Sequence, residues 1–316
     1  MKGIVEEKGD RVKHIAICFF GIPRSLRLTY PSIQKNVIEP AKLVGNVSLH
    51  AHYFEQTKID NPRSGEFGEL DPDEKHWLTY ETLDVDQPGI PPVTNLFEEL
   101  ITFGDSWKDE NRSISNLCQQ LFSLRKVTQQ ALASNPDIVA FVRPDLVYHD
   151  SLADVFDAAV KDETSRIFTP YWQTGRGLND RFCVTVGTHA AEQFGFRIDR
   201  ALEYCKRGPR KIGSERLVAM AMENTPISPI SHRASRVRFD GSTREENFDT
   251  PLFSKLRRSC KNIPQPGIRS IAQHLLRLTQ AILVGRRYTD ICAAQLTFGR
   301  TKKVTHSLVH NAEDVR

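Results

Sequence analysis

One order of elements near the N-terminus limits the fold more than anything else in the chain. A β-rich run, Val12–Phe20, ends at Gly21-Ile22-Pro23-Arg24-Ser25. Leu28–Leu43 then carries Leu28, Ile33, Val37, Ile38 and Ala41 at helical spacing, interrupted by Pro31 and Pro40. Gly45-Asn46 breaks that pattern, and Val47–Phe54 reads as a second strand. Strand, glycine turn, helix and strand make a βαβ unit, which hides its apolar faces in a parallel sheet covered by helices. The chain is therefore expected to be α/β, with a mostly parallel sheet flanked by helices.

The same alternation continues. Ser113–Ala133 has Leu117, Leu121, Leu124, Thr128 and Leu132 on one helical stripe, and Asn135-Pro136 ends it. Ile138–Val142 follows as a short apolar strand that stops on Arg143-Pro144-Asp145. Leu152–Val160, His189–Phe194 and Ser214–Met222 read as helices, the first capped by Asp150 or Ser151. Arg166–Tyr171, Arg181–Val186 and Ile227–Phe239 read as extended segments, and Gly241–Pro251 as a polar linker. Residues 55–92 are rich in Pro, Gly and acidic side chains and read as a long loop or insertion.

Charge divides the chain. Residues 251–316 hold twelve Lys/Arg against three Asp/Glu, whereas 1–250 hold 31 against 36. An α/β domain is thus expected over 12–250, with a basic helical extension over 251–316 whose stripe includes Ile268, Ile271, Leu275 and Ile282. Such a helix, with Arg257-Arg258 and Arg286-Arg287 nearby, suits either a packed amphipathic element or peripheral contact with an anionic membrane surface. No nucleic-acid-binding module is recognisable. Six cysteines without C-x-x-C spacing point to reduced thiols in the cytoplasm. Ile15–Phe20 is too short to span a membrane and lacks a cleavage pattern, so it is expected to be a strand and not a signal peptide.

Three constellations can carry chemistry. Arg143 and Asp145 stand at a strand end, where open α/β sheets place ligands; a carboxylate there can hold a divalent cation on a diphosphate, and an arginine can neutralise the phosphates. Gly175-Arg176-Gly177-Leu178-Asn179-Asp180-Arg181 is a loop that presents Asp180, a candidate general base, with Glu215 as a second. Gly21–Ser25 offers Gly21, Arg24 and Ser25 to a phosphate, although it is neither a Walker loop nor a dinucleotide fingerprint. Each also reads as an ordinary turn. His50 and His52 share one side of their strand and read as polar residues on a half-exposed face.

Together, Gly21–Ser25, His50–Phe54, Gln120–Leu124, Arg143–Asp145 and Asn179–Phe182 resemble the pattern of GT-A-like (Rossmann-like) glycosyltransferases of bacterial and viral polysaccharide synthesis. The resemblance implies a nucleotide-sugar donor near Gly21, Arg24 and Ser25, with Arg143 and Asp145 at the diphosphate. It also implies a divalent cation (Mn2+ or Mg2+) at Asp145, and a glycan or lipid-linked acceptor near Asp180. That family writes its metal motif D-x-D, and here Arg143 stands in place of the first acid. The alternative at this site is therefore an arginine-assisted diphosphate clamp, in which Arg143 takes over part of the cation's role. Phe20–Ser25 also resembles the opening of the sulfotransferase phosphate loop, where a glycine follows the serine; this chain has Leu26 and Arg27 there. A domain that binds nucleotide or glycan without turnover is the third reading.

Overall fold

The computed structural model describes residues 11–61, 65–174, 177–207, 211–244, 246–249, 256, 259–260 and 262–283. Two compact units are present, one reaching Phe248 and one beginning at Asp249. The first is a mixed α/β unit around a seven-stranded, mostly parallel sheet. Its strands are β1 (Lys13–Gly21), β2 (Gly45–Phe54), β5 (Thr82–Asp86), β6 (Ile138–Val142), β8 (Arg166–Pro170), β9 (Cys183–Val186) and β10 (Ile227–Ile230). They lie in the order β10-β8-β9-β6-β1-β2-β5. β9 runs antiparallel to both its neighbours, β6 and β8, while the other pairings are parallel.

Alternation along β1 builds both layers. Ile15, Ile17 and Phe19 pack on one face against α1 (Leu26–Ile33), α2 (Glu39–Val44) and α5 (Ala153–Lys161). Ala16, Cys18 and Phe20 pack on the other against α4 (Arg112–Leu132), α6 (Gly187–Gly195) and α8 (Ser214–Ala221). β6 is buried at all five positions, which is why its sequence is an unbroken apolar run. A third cluster joins α3 (Pro91–Ile101), α4, α7 (Ala201–Lys206) and the start of α8.

The helical stretch that carries Pro31 and Pro40 is present but irregular: a π-helical turn at Gln34–Ile38 joins α1 to α2. Pro40 has no N–H for the Asn36 carbonyl, which accepts instead from the Leu152 N–H at 2.8 Å. Residues 55–92 are more than a loop: they hold a hairpin, β3 (Lys58–Asn61) with β4 (Glu66–Glu69), and the sheet-edge strand β5. His50 and His52 are buried core residues. His52 sits 3.1 Å from both Ser123 Oγ and Asp86 Oδ2, and His50 sits 2.8 Å from Thr82 Oγ1 and 2.9 Å from Ser48 Oγ. Burial lowers the pKa of both rings. Finally, the expected linker packs into the first unit at Glu246, which is buried against Arg181.

The second unit contains α9 (Pro266–Leu283), with Ile268, Ile271 and Leu275 exposed. Arg257-Arg258 and Arg286-Arg287 lie outside the described residues. No helix among the described residues is long and apolar enough to cross a membrane.

Candidate active site

β1 leads to β2 on one side and β6 lies on the other, so the crevice between the ends of β1 and β6 is a topological switch point, where such sheets bind ligands. Gly21–Arg24 leaves the end of β1, and Arg143–Asp145 leaves the end of β6. A cleft of about 500 Å³ opens there, lined by Gly21, Arg24, Arg143, Asp145, Asp180 and Glu215 among others. Six of the seven expected site residues therefore meet in one place. The seventh, Ser25, does not: it is fully buried and its hydroxyl donates to the Val237 carbonyl at 3.1 Å.

The Arg143-Pro144-Asp145 turn is clamped from two sides. Thr29 on α1 donates through Oγ1 to the Pro144 carbonyl, and the Val237 N–H donates to the Asp145 carbonyl at 2.9 Å. β7 (Leu146–Tyr148) pairs antiparallel with β11 (Ala234–Arg236), which carries Arg236 to the same spot. Asp145 receives a fork from Arg143, Nε to Oδ1 at 2.9 Å and Nη2 to Oδ2 at 2.8 Å. Arg24 Nη2 adds a third donor to Oδ2 at 2.8 Å, and Arg24 Nη1 reaches buried Glu66 at 3.2 Å. Burial alone would raise the pKa of Asp145; Arg143 and then Arg24 outweigh it and hold the carboxyl well below its usual range. Burial works against the charge of Arg143 as well, and the Asp145 carboxylate overrides it, raising that pKa. Arg236 is different. Burial first, then the like charges of Arg143 and Arg181, lower its pKa to about 10, and its Nε has no hydrogen-bond partner.

Gly21 adopts φ +105°, a left-handed conformation that a side chain would strain, with nothing within 4 Å of where a Cβ would stand. Its N–H donates to Ser123 Oγ at 2.9 Å. Its part is to turn the chain at the end of β1.

Asp180 lines the same cleft, close enough for its charge to act on Arg143, and accepts a hydrogen bond from Ser214 Oγ. Ser214 and Glu215 open α8, so the N-terminus of that helix is brought up to the loop that bears Asp180. Leu178 N–H donates to the Glu215 carbonyl at 2.9 Å, and a Cβ on Gly177 would stand 2.0 Å from that same oxygen. Glycine at 177 is thus required by close approach of two backbones. Gly175 and Arg176 lie outside the described residues. Next to Asp180, Arg181 is held by Glu246 and by Gln173 Oε1 at 2.5 Å, with its guanidinium 5.4 Å from the Trp172 ring centre.

Asp180 reaches the cleft because β9 is antiparallel. It precedes β9, and the N-terminal ends of parallel strands lie at the edge of the sheet opposite the switch point. The reversed β9 begins where β6 and β8 end, so the connection from Pro170 to Cys183 crosses the site.

The divalent cation expected at Asp145 does not suit the donors present. Both oxygens of Asp145 are taken by guanidiniums, and the charges that act on it are those of Arg143, Arg24 and Arg236. Among the described residues, no group of three or more His, Cys, Asp or Glu is arranged to hold a metal ion. Sequence reading passed over Arg236, although its alternation with buried Val237 marked a strand face, and it passed over Glu66 and Glu246, whose partners are distant in the chain.

No family model matches the chain, and no curated protein matches it. Solved structures similar to it include mouse xyloside xylosyltransferase 1 in its apo form, 11% identical over 70% of this chain and 86% of that one, with a TM-score of 0.35. The galactosyltransferase LgtC with donor and acceptor sugar analogues is 10% identical over 68% of this chain and 73% of that one, with a TM-score of 0.39. The mannosyltransferase Ktr4p from S. cerevisiae is 11% identical over 69% of this chain and 67% of that one, also with a TM-score of 0.39.

Proposed function

We propose that this cleft transfers a sugar from a nucleotide-sugar donor to a hydroxyl of a glycan or lipid-linked acceptor, in the manner of the GT-A enzymes that the sequence resembles. One observation carries the reading: arginines at or just beyond the ends of β1, β6 and β11 line a single cleft at the switch point together with Asp180 and Glu215. In the proposed reaction the anomeric C–O bond to the diphosphate breaks, and the nucleoside diphosphate departs with the electron pair. The acceptor oxygen forms the new C–O bond, and its proton passes to the Asp180 carboxylate. Arg24, Arg143 and Arg236 offset the charge that develops on the departing diphosphate. Glu215 is the second candidate for the base. The reaction is assigned to the cytoplasm, with α9 and the basic tail against the inner membrane face.

Sulfate transfer has less support, because Ser25, the serine of its phosphate loop, turns its hydroxyl into the core. Thermal denaturation with UDP, GDP or adenosine 3′,5′-bisphosphate separates the readings. A ligand at a hundred times its Kd adds about 2.7 kcal/mol of stability. Stabilisation by UDP or GDP is the expected result, and stabilisation by the bisphosphate alone would overturn the proposal. Asp180→Asn is expected to lower kcat by about 10²–10⁴-fold, the range for a general base, while the Kd for nucleoside diphosphate stays the same. An unchanged rate would remove Asp180 from the role. Binding without turnover across a broad acceptor panel would point to a non-catalytic domain.

A further inference from the structure

We infer that the guanidiniums of Arg24, Arg143 and Arg236 hold the diphosphate in place of a divalent cation, so that binding needs no metal. This rests on the glycosyl-transfer reading and deepens it, since it removes the divalent cation from donor binding.

The charge arithmetic favours an anion here. Arg143 is matched by Asp145, and Arg24 is shared between Asp145 and Glu66. Arg236 adds a third guanidinium and Asp180 also acts on Arg143, but over the whole lining six Lys/Arg outnumber four Asp/Glu, with Lys58 and Arg244 among the basic ones. A dication at Asp145 would displace Arg143 or Arg24 from a buried carboxylate and then face the released guanidinium together with Arg236. A diphosphate instead brings acceptor oxygens to guanidiniums that line the cleft, and guanidinium forks match phosphate geometry. Asp145 and Glu66 act as positioning residues: by fixing Arg143 and Arg24 before the ligand arrives, they lower the ordering cost of binding. Arg236 is set by its backbone, since β11 is paired to β7 and the Arg236 carbonyl accepts from the Arg244 N–H at 3.0 Å.

The test is isothermal titration of the full chain with UDP, GDP and inorganic pyrophosphate, each in EDTA and in manganese chloride. The expected Kd values differ by less than about threefold between the two buffers, because no cation is part of the site. Arg236→Gln is expected to weaken binding about tenfold or more in both, the scale of a charge-assisted hydrogen bond. Its thermal midpoint should stay level or rise, because the substitution removes a cation from among like charges. Arg236→Lys should recover part of the affinity.

Binding that appears only with manganese, or an Arg236→Gln variant that binds as well as the parent, would overturn the inference. Manganese-dependent binding accompanied by sugar transfer would leave the glycosyl-transfer reading in place. EDTA-resistant pyrophosphate binding with no response to UDP or GDP would support the clamp and count against that reading. Absence of all binding would overturn both.

Discussion

Asp145 takes three hydrogen bonds from two guanidiniums while almost fully buried, so it behaves as the keystone of an ion-pair chain running Glu66, Arg24, Asp145, Arg143. Asp145→Asn leaves both arginines short of a counter-charge and is expected to cost about 3–5 kcal/mol, read as a lowered midpoint in urea unfolding. The folded-state pKa of Asp145 is depressed, so its stabilisation is present above the unfolded carboxylate value near pH 4 and is lost as pH falls from there toward the folded pKa. Urea midpoints measured downward from about pH 5 should therefore fall more steeply for the parent than for the asparagine variant. Parallel curves would show that the carboxylate does not supply the acid sensitivity. Manganese dependence should be the same in both proteins.

Among the elements, β9 matters most to the site. Its reversed direction converts what would be a crossover at the far edge into the connection that bears Asp180. That connection is fixed to α8 by the Leu178–Glu215 backbone bond and by the absence of a side chain at Gly177. Gly177→Ala forces a methyl group into the Glu215 carbonyl, and the expected loss of stability is about 1–3 kcal/mol, as for overpacking elsewhere. Because the clash lies where the Asp180 loop meets α8, the rate of the proposed transfer should fall further than pyrophosphate affinity, which is assigned to Arg24, Arg143 and Arg236. Equal losses in rate and affinity would argue that the Asp180 loop and the arginines shift as one unit. α9 is a separate matter. Its apolar residues Ile268, Ile271 and Leu275 are exposed, and the chain from residue 251 carries a strong basic surplus. The full chain is expected to sediment with vesicles rich in anionic lipid and to release them at about 0.5 M salt, where the screening length is only a few ångströms. A chain ending at Phe248 should stay in the supernatant. If it sediments equally well, the tail is not the contact.

For the molecule as a whole, local sequence determined the repeating strand-and-helix order, the buried character of Ile138–Val142, and the arginine and carboxylate at its end. These were legible because periodicity and apolar runs are local consequences of burial on one face or two. The long segment after β2 concealed a sheet-edge strand, because β5 is only partly buried and gave no apolar run to read. Ser25 read as a phosphate contact because its type suits a loop, whereas its direction was set by β11's neighbour Val237, more than two hundred residues away. Strand direction was likewise beyond local reading: an antiparallel β9 and a parallel one need the same apolar residues. Only the tertiary structure brought Asp180 to the edge that holds Arg143. Only it paired both oxygens of Asp145 with guanidiniums, because the partners that saturate a buried charge come from wherever the fold delivers them.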